Sequence, residues 1–265
     1  MTDRWIELDG LVNMRDLGGL PTRDGGHVAA RRLIRSDNLQ DLSDGDVTRL
    51  VDGLGVSDII DLRTETELHV EGPGPLRRVE SLRHHHHSLI QERQPTEDLG
   101  RVGERALAMP WQKDDPVRDS AFWAEHYLGY LSRRPDSVAA ALDVVARARG
   151  AAVVHCAAGK DRTGTVVALA LDVAGVPSEE IIADYVLTAE RIEAIIGRLR
   201  PRPAYGEALA KQSLSDQVPR AESIEAILTA VADGFGGAPG WLREQGWSED
   251  DVERLRARLT GPASR

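Results

Sequence analysis

The sequence predicts an α/β fold, a sheet with parallel strands covered by helices, from three observations. Strand-like and helix-like stretches alternate along the first half of the chain. "AAVVHC" (151–156) is an unbroken apolar run of the kind buried in the middle of a parallel sheet. Directly after it, "TGTVVALALDVAG" (163–175) is apolar nearly all round, as a helix packed centrally on such a sheet must be. The composition agrees: 41% apolar and 29% charged residues are ordinary for a globular protein, and 4% aromatic residues leave the packing to Ala, Val, Leu and Ile. At 265 residues the chain fits a single large α/β domain spanning 1–265.

Taken in order, "GHVAARRLIRSD" (26–37) and "VSDIIDLR" (56–63) read as strands, separated by a helix over 44–54 with Ser43 as its N-cap. A further strand is expected within 77–86. Helical spacing recurs over 121–131 and 136–149, with Pro135 between them, and the 163–175 helix stops at Gly175 and Pro177. Helices are expected at 179–199, 221–233 and 249–259, the last capped by Ser248 with Asp251 three residues on. Residues 91–118 are charged and proline-punctuated, which suits either a lid-like insertion or a solvated excursion. Residues 200–220, with Pro201, Pro203 and Pro219, read as a loop.

A net charge of -10 argues against nucleic acid or an anionic membrane as a bulk partner, although it leaves room for a local basic pocket. One cysteine forms no intramolecular disulfide, and "MTDRWIELDG" lacks the basic and apolar regions of a signal peptide, so a cytoplasmic location is expected. No apolar run approaches the roughly 20 residues of a transmembrane span.

That single cysteine stands in "VVHCAAGKDRTG" (153–164). A strand, then Cys156, then five residues, then Arg162 and Thr163 opening a helix, makes a nest for a tetrahedral oxyanion. The N–H groups from Ala157 through Ala158, Gly159, Lys160 and Asp161 to Arg162 can turn inward, and small side chains let the backbone approach the anion. Arg162 can hold two equatorial oxygens with its planar fork. A thiol at a helix N-terminus beside Arg or Lys ionises more readily than a free one, which suits Cys156 to in-line attack on phosphorus and a cysteinyl-phosphate intermediate. His155 is expected to orient the loop, Thr163 to donate to the departing sulfur, and Lys160 to add a cation. A buried hydrophobic cysteine is the plainer reading. Against it, His, Cys, Gly, Arg and Thr at this spacing would arise by chance with a probability on the order of 10⁻⁵. A nucleotide-binding G-x-x-x-x-G-K-[ST] loop is excluded, since Val154 stands at the first glycine and Asp161 follows Lys160. One cysteine beside one histidine closes no zinc site.

Two aspartates compete as general acid. Asp61 ends the 56–61 strand and meets the cysteine loop at one rim if the two strands are parallel neighbours; a structural tie to Arg63 or Arg35 is its alternative. Asp161 adjoins Arg162 within the loop itself, and proximity favours it. Arg15 and Asp16 read as an ion pair fixing the "DLGG" turn. In "HHHH" (84–87), His84 and His86 face one side of an extended chain, but two ligands without carboxylates make a poor metal site, and a partly exposed strand end is expected.

"HCAAGKDRTG" resembles the signature of the cysteine-based protein-tyrosine phosphatase superfamily, and its G-K-D-R-T-G ending resembles the bacterial tyrosine/serine phosphatases related to phosphoinositide phosphatases. "NMRDLGG" (13–19), "RSDNL" (35–39), "DLRTETE" (61–67) and "WLREQGWSEDDVERLRARL" (241–259) resemble other segments of that branch in the same order. Met14 replaces a common Phe, and no W-P-D acid loop appears. The resemblance implies a central mixed, mostly parallel sheet flanked by helices, no metal or other cofactor, and sometimes a helical lid. The expected activity is metal-independent phosphomonoester hydrolysis on phosphotyrosine, extending to phosphoserine/threonine. A phosphoinositide phosphatase and a non-catalytic phosphate-binding module are the alternatives.

Overall fold

The computed structural model describes residues 4–92 and 120–261, so the expected insertion at 91–118 lies, beyond its first two residues, outside the described part. Five strands form one sheet: β1 (Arg15–Asp16), β2 (Leu33–Ser36), β3 (Val56–Asp61), β4 (Arg83–His86) and β5 (Ala151–His155), ordered β1-β2-β5-β3-β4. β1 is antiparallel to β2 and every other pair is parallel, so the sheet is mixed and mostly parallel. β5 occupies the centre, and all five of its residues are buried. Its apolar run up to the final histidine suits that place, since both faces of a central strand are covered.

Alternation along the strands divides the core. Leu33, Ile60, Ala152 and Val154 face a large apolar cluster, while Ile34, Ile59, Ala151 and Val153 face a smaller one on the other side. The helices are α1 (Asp44–Thr48), α2 (Glu65–Glu71), α3 (Ser120–Arg133), α4 (Pro135–Arg147), α5 (Asp161–Val173), α6 (Ser178–Val186), α7 (Ile192–Leu199), α8 (Gly206–Ala210), α9 (Ala221–Phe235), α10 (Ala238–Glu244) and α11 (Glu249–Thr260). α5 is the hub of the thicker layer and touches α3, α4, α6, α9, α10 and α11. Every residue of α5 except Asp161 and Asp172 is buried, which is why its sequence lacks a polar face. Reciprocal caps start three helices: Ser43 with Asp46, Thr64 with Glu67, and Ser248 with Asp251.

Several elements differ from expectation. The strand expected over 26–37 is regular only at Leu33–Ser36, because Arg31 takes a left-handed φ of 59° and breaks the extended chain before it. The helix expected over 44–54 is α-helical to Thr48 and then winds as a π turn over Arg49–Gly53. The 179–199 helix is divided into α6, a 3-10 turn (Leu187–Arg191) and α7. That division falls where buried Thr188 accepts a hydrogen bond from Arg15. α2, α8 and α10 are additional, five to seven residues each, and too short to show a clear period. No described helix is long and apolar enough to cross a membrane.

Candidate active site

β3 and β5 pair in parallel with Asp61 opposite His155, so their C-terminal ends meet at one rim, where open α/β sheets bind ligands. Cys156 follows His155 and is 2% exposed. The next three carbonyls are all taken from behind the loop. Ala157 O accepts from Asn38 N at 2.9 Å, Ala158 O from Asn13 Nδ2 at 2.9 Å, and Gly159 O from Arg35 Nη2 at 2.8 Å. In a trans peptide the N–H points opposite to the C=O, so the amides of Ala158, Gly159 and Lys160 turn to the other side, together making an anion nest. Gly159 has φ 65°, and a Cβ there would stand 2.5 Å from Ser36 O, so only glycine allows this approach.

The donors behind the loop are themselves anchored. Arg35 Nη1 and Arg15 Nε bond Asp184 of α6 at 2.7 and 3.1 Å, and Arg15 Nη1 bonds Asn13 Oδ1 at 2.7 Å, all buried. Burial would raise the Asp184 carboxyl, but Arg15, Arg35 and Arg4 hold it well below the usual carboxylate range. Thus "NMRD" and "RSDN" brace the cysteine loop. The reading of Arg15 and Asp16 as an ion pair is corrected: consecutive strand residues point to opposite faces, and Arg15 reaches Asp184. Asp16 fixes the turn alone, accepting from Gly18 N and Arg31 N. Arg35, which the sequence offered as a possible partner of Asp61, bonds Asp184 and Gly159 O instead, and Asn13 and Asp184 escaped the sequence reading because Ala158 and the two arginines they meet lie more than a hundred residues away.

Arg162 is clamped by Glu67 through two bonds, Nη1–Oε2 at 2.5 Å and Nη2–Oε1 at 2.9 Å. Burial opposes the Arg162 charge, but Glu67 outweighs it and raises the pKa further. The same Glu67 carboxylate accepts from Thr64 N at 2.7 Å in the α2 cap. Glu67 was also missed, although "T-E-T-E" is a capping-box signal that marks it. The Thr163 hydroxyl is buried without a hydrogen-bond partner, so the expected donation to sulfur is not formed in this arrangement.

His155 Nδ1 lies 3.3 Å from Cys156 O, and its Nε2 is 3.4 Å from Asp61 Oδ2. Burial pushes the imidazole down to about 4 against the pull of Asp61, leaving it neutral near pH 7. Asp61 is held by Arg63, with Nη2–Oδ2 at 2.6 Å and Nε–Oδ1 at 2.9 Å. Burial would raise this carboxyl, but His155 and Arg63 lower it well below its usual range. Since the imidazole is neutral near pH 7, Arg63 is the cation that keeps Asp61 ionised there.

Asp161 opens α5 and accepts from Tyr127 OH, which also shares a 2.7 Å bond with Tyr185 OH. Burial raises the Tyr127 hydroxyl pKa well above its usual value, so it stays protonated as a donor. Lys160 Nζ lies 3.5 Å from Asp161, donates to Gln217 O at 2.8 Å and sits 5.8 Å over the Trp123 ring. It is a wall of the site rather than a solvated cation. A narrow cleft between Trp123, Asp161, Val218 and Arg220 holds about 10 Å³, room for about one water. The four histidines fit the strand-end reading. His84 and His86 bond the carbonyls of Leu76 and Arg63, and His85 bonds Asp58.

The chain is similar to known proteins over most of its length. The chain is 31% identical to a tyrosine-protein phosphatase of Nostoc commune, over 88% of this chain and 75% of that one. It is 30% identical to the triple specificity protein phosphatase PtpB of Mycobacterium tuberculosis, over 96% and 99%. A putative tyrosine-protein phosphatase of Cupriavidus necator is 29% identical, over 95% and 86%. The family model described as "Tyrosine phosphatase family" matches residues 6–261, nearly the whole described chain, and this protein belongs to that family.

Proposed function

We propose that this phosphatase acts through Cys156 as nucleophile, with Arg162 and the amides of residues 157–162 holding the phosphate and Asp161 as general acid. The reading rests on one observation above all: three successive carbonyls of the loop after Cys156 are drawn backward, which turns the amides of Ala158, Gly159 and Lys160 to the opposite side, as an anion site there requires. The thiolate attacks phosphorus, the ester P–O bond breaks, and Asp161 gives its proton to the leaving oxygen. Water then attacks the cysteinyl-phosphate, Asp161 takes a proton from it, and the S–P bond breaks to release inorganic phosphate. Thr163, with its hydroxyl otherwise unengaged, stabilises the departing thiolate, and His155 fixes the loop's entry.

Phosphotyrosine is the first substrate class. The relatives' names point to tyrosine, and one names a triple specificity. A phosphoinositide reading asks Lys160 to meet a second phosphate, for which its bond to Gln217 O must open. The test is Cys156→Ser: turnover of a phosphotyrosine peptide falls to background while phosphate binding stays within about tenfold, because the nest is made of amides and Arg162. Turnover within tenfold of wild type overturns the mechanism. Running the wild type on phosphotyrosine, phosphoserine and phosphoinositide ranks the substrates. Lys160→Ala that lowers phosphotyrosine and phosphoinositide turnover equally removes the second-phosphate contact.

A further inference from the structure

Tyr127 has one proton to give, and it gives it to Asp161 Oδ1. In its 2.7 Å bond to Tyr185 OH it must therefore be the acceptor, with Tyr185 as the donor. The hydroxyls run in one direction, from Tyr185 to Tyr127 to Oδ1. Both rings are held in place. Tyr127 is 1% and Tyr185 2% exposed, and they meet edge to face with centroids 6.3 Å apart. Trp123 packs edge-on against Tyr127 from the same helix, α3, at 6.4 Å. Tyr185, on α6, lies close against α5: a Cβ on Gly164 would stand 2.9 Å from its Cδ2, so the glycine of "RTG" makes room for the ring.

The two oxygens of Asp161 are treated differently. Oδ1 accepts from Tyr127 and lies 3.5 Å from Lys160 Nζ. Oδ2 accepts no hydrogen bond among the described residues and is not one of the buried orphan atoms, so it keeps accessible surface; the side chain as a whole is 19% exposed. An oxygen that already accepts from a hydroxyl and faces an ammonium is the poorer place for a carboxyl proton. We propose that Tyr127 is a positioning residue that keeps the acid proton on Asp161 Oδ2, with Tyr185 fixing the direction in which Tyr127 donates. The inference rests on Asp161 as the general acid. Oδ2–H gives its proton to the leaving oxygen as the ester P–O bond breaks, and Oδ2 takes one back from the attacking water as the S–P bond breaks. Tyr127 donates to Oδ1 in both protonation states. The other charged and titratable groups around this carboxyl are Lys160 and Arg162 beside it, His126 and Tyr130 of α3, and Asp216 and Arg220 along the cleft.

The test compares Tyr127→Phe and Tyr185→Phe with the wild type on an alkyl phosphate and on p-nitrophenyl phosphate, through kcat/KM, which covers the chemistry up to ester cleavage. For Tyr127→Phe the alkyl phosphate is expected to lose about tenfold and p-nitrophenyl phosphate less than about threefold, because only the poor leaving group needs the proton. A hydroxyl that donates to a carboxylate favours its ionised form, so without it the alkaline limb of the alkyl phosphate pH profile moves up by about half a pH unit or more. Tyr185→Phe moves both readings the same way by a smaller amount. Orthovanadate affinity stays within about threefold, since the nest of amides is untouched, and the readings are taken from whichever variants bind it. Equal loss on the two substrates, or an unmoved limb, overturns the proposal in favour of a structural role. In an Asp161→Asn background Tyr127→Phe adds no leaving-group dependence, and any further dependence there overturns the proposal as well. If Asp161→Asn itself shows no leaving-group-dependent loss, the acid assignment falls and the role of Tyr127 with it. If Asp161→Asn shows that loss and Tyr127→Phe does not, the acid assignment stands and only the role of Tyr127 is removed.

Discussion

At the scale of residues, the two aspartates are separated by what each is tied to. Asp61 spends both carboxylate oxygens on Arg63 and is held ionised, so it has no proton to give at working pH. Asp161 opens α5 directly after the loop, accepts from a neutral tyrosine and has, among the described residues, only Lys160 Nζ, 3.5 Å away, as its ion-pair partner. An alkoxide leaving group needs a proton far more than an activated phenolate does. Asp161→Asn is therefore expected to lower alkyl phosphate turnover by about 10² or more and p-nitrophenyl phosphate turnover by much less. Asp61→Asn should act on stability or KM, and a leaving-group-dependent loss there in place of Asp161 reverses the assignment. Glu67 is the second residue with a sharp expectation. Glu67→Gln keeps its size but cannot accept from both Arg162 nitrogens, so phosphate affinity and kcat/KM should each fall by about tenfold or more, one to two kcal/mol, with the fold retained. Unchanged phosphate affinity would show that Arg162 needs no clamp.

At the scale of elements, the cysteine loop owes its shape to segments far from it in the sequence. Asn13 donates to Ala158 O and accepts from Arg15, joining the loop to the Asp184 cluster. Asn13→Ala leaves a buried guanidinium N–H and a loop carbonyl without partners, which costs about 1 to 3 kcal/mol each at most. Loss of melting temperature together with weaker phosphate binding is expected. A distant helix cap is the control: Ser248→Ala removes the α11 capping box and about 1 kcal/mol of stability, yet leaves kcat and KM unchanged. If Asn13→Ala behaves like Ser248→Ala, the brace is structural only.

At the scale of the whole molecule, buried ionisable groups set how stability depends on pH. His155 and His126 are pushed from 6.5 down to about 4, chiefly by burial. Below pH 6.5 the unfolded chain takes up protons at these residues while the folded chain does not, so stability falls as pH drops from 6.5 towards 4. Each contributes up to ~1.4 kcal/mol per pH unit where the difference is complete. Asp61 and Asp184 are held low when folded, so their stabilisation is present above the ordinary carboxylate pKa and is lost only at more acid pH. Two successive losses are expected in melting temperature against pH. His84 and His87 are lowered by burial too and act in the same window, so His126→Phe should reduce the slope between pH 6.5 and 4 without abolishing it and leave the more acid loss in place, and an unchanged slope would mean that His126 does not contribute.

By itself the sequence determined what local periodicity and short spacings can carry: the central strand at 151–155, the apolar helix that follows it, the Ser43 and Ser248 caps, and the strand–loop–helix turn that holds Cys156. Each of these depends on neighbours within a few positions, so composition and spacing suffice. Tertiary structure alone decided which side chains brace that turn. Glu67 meets Arg162 across 95 positions, Arg35 meets Gly159 across 124, and Arg15 meets Asp184 across 169. Those partners are chosen by the order β1-β2-β5-β3-β4, which brings remote strand ends to one rim. The same ordering broke the expected Arg15–Asp16 pair, because neighbours on a strand face apart while the chain that returns over them supplies the nearer charge.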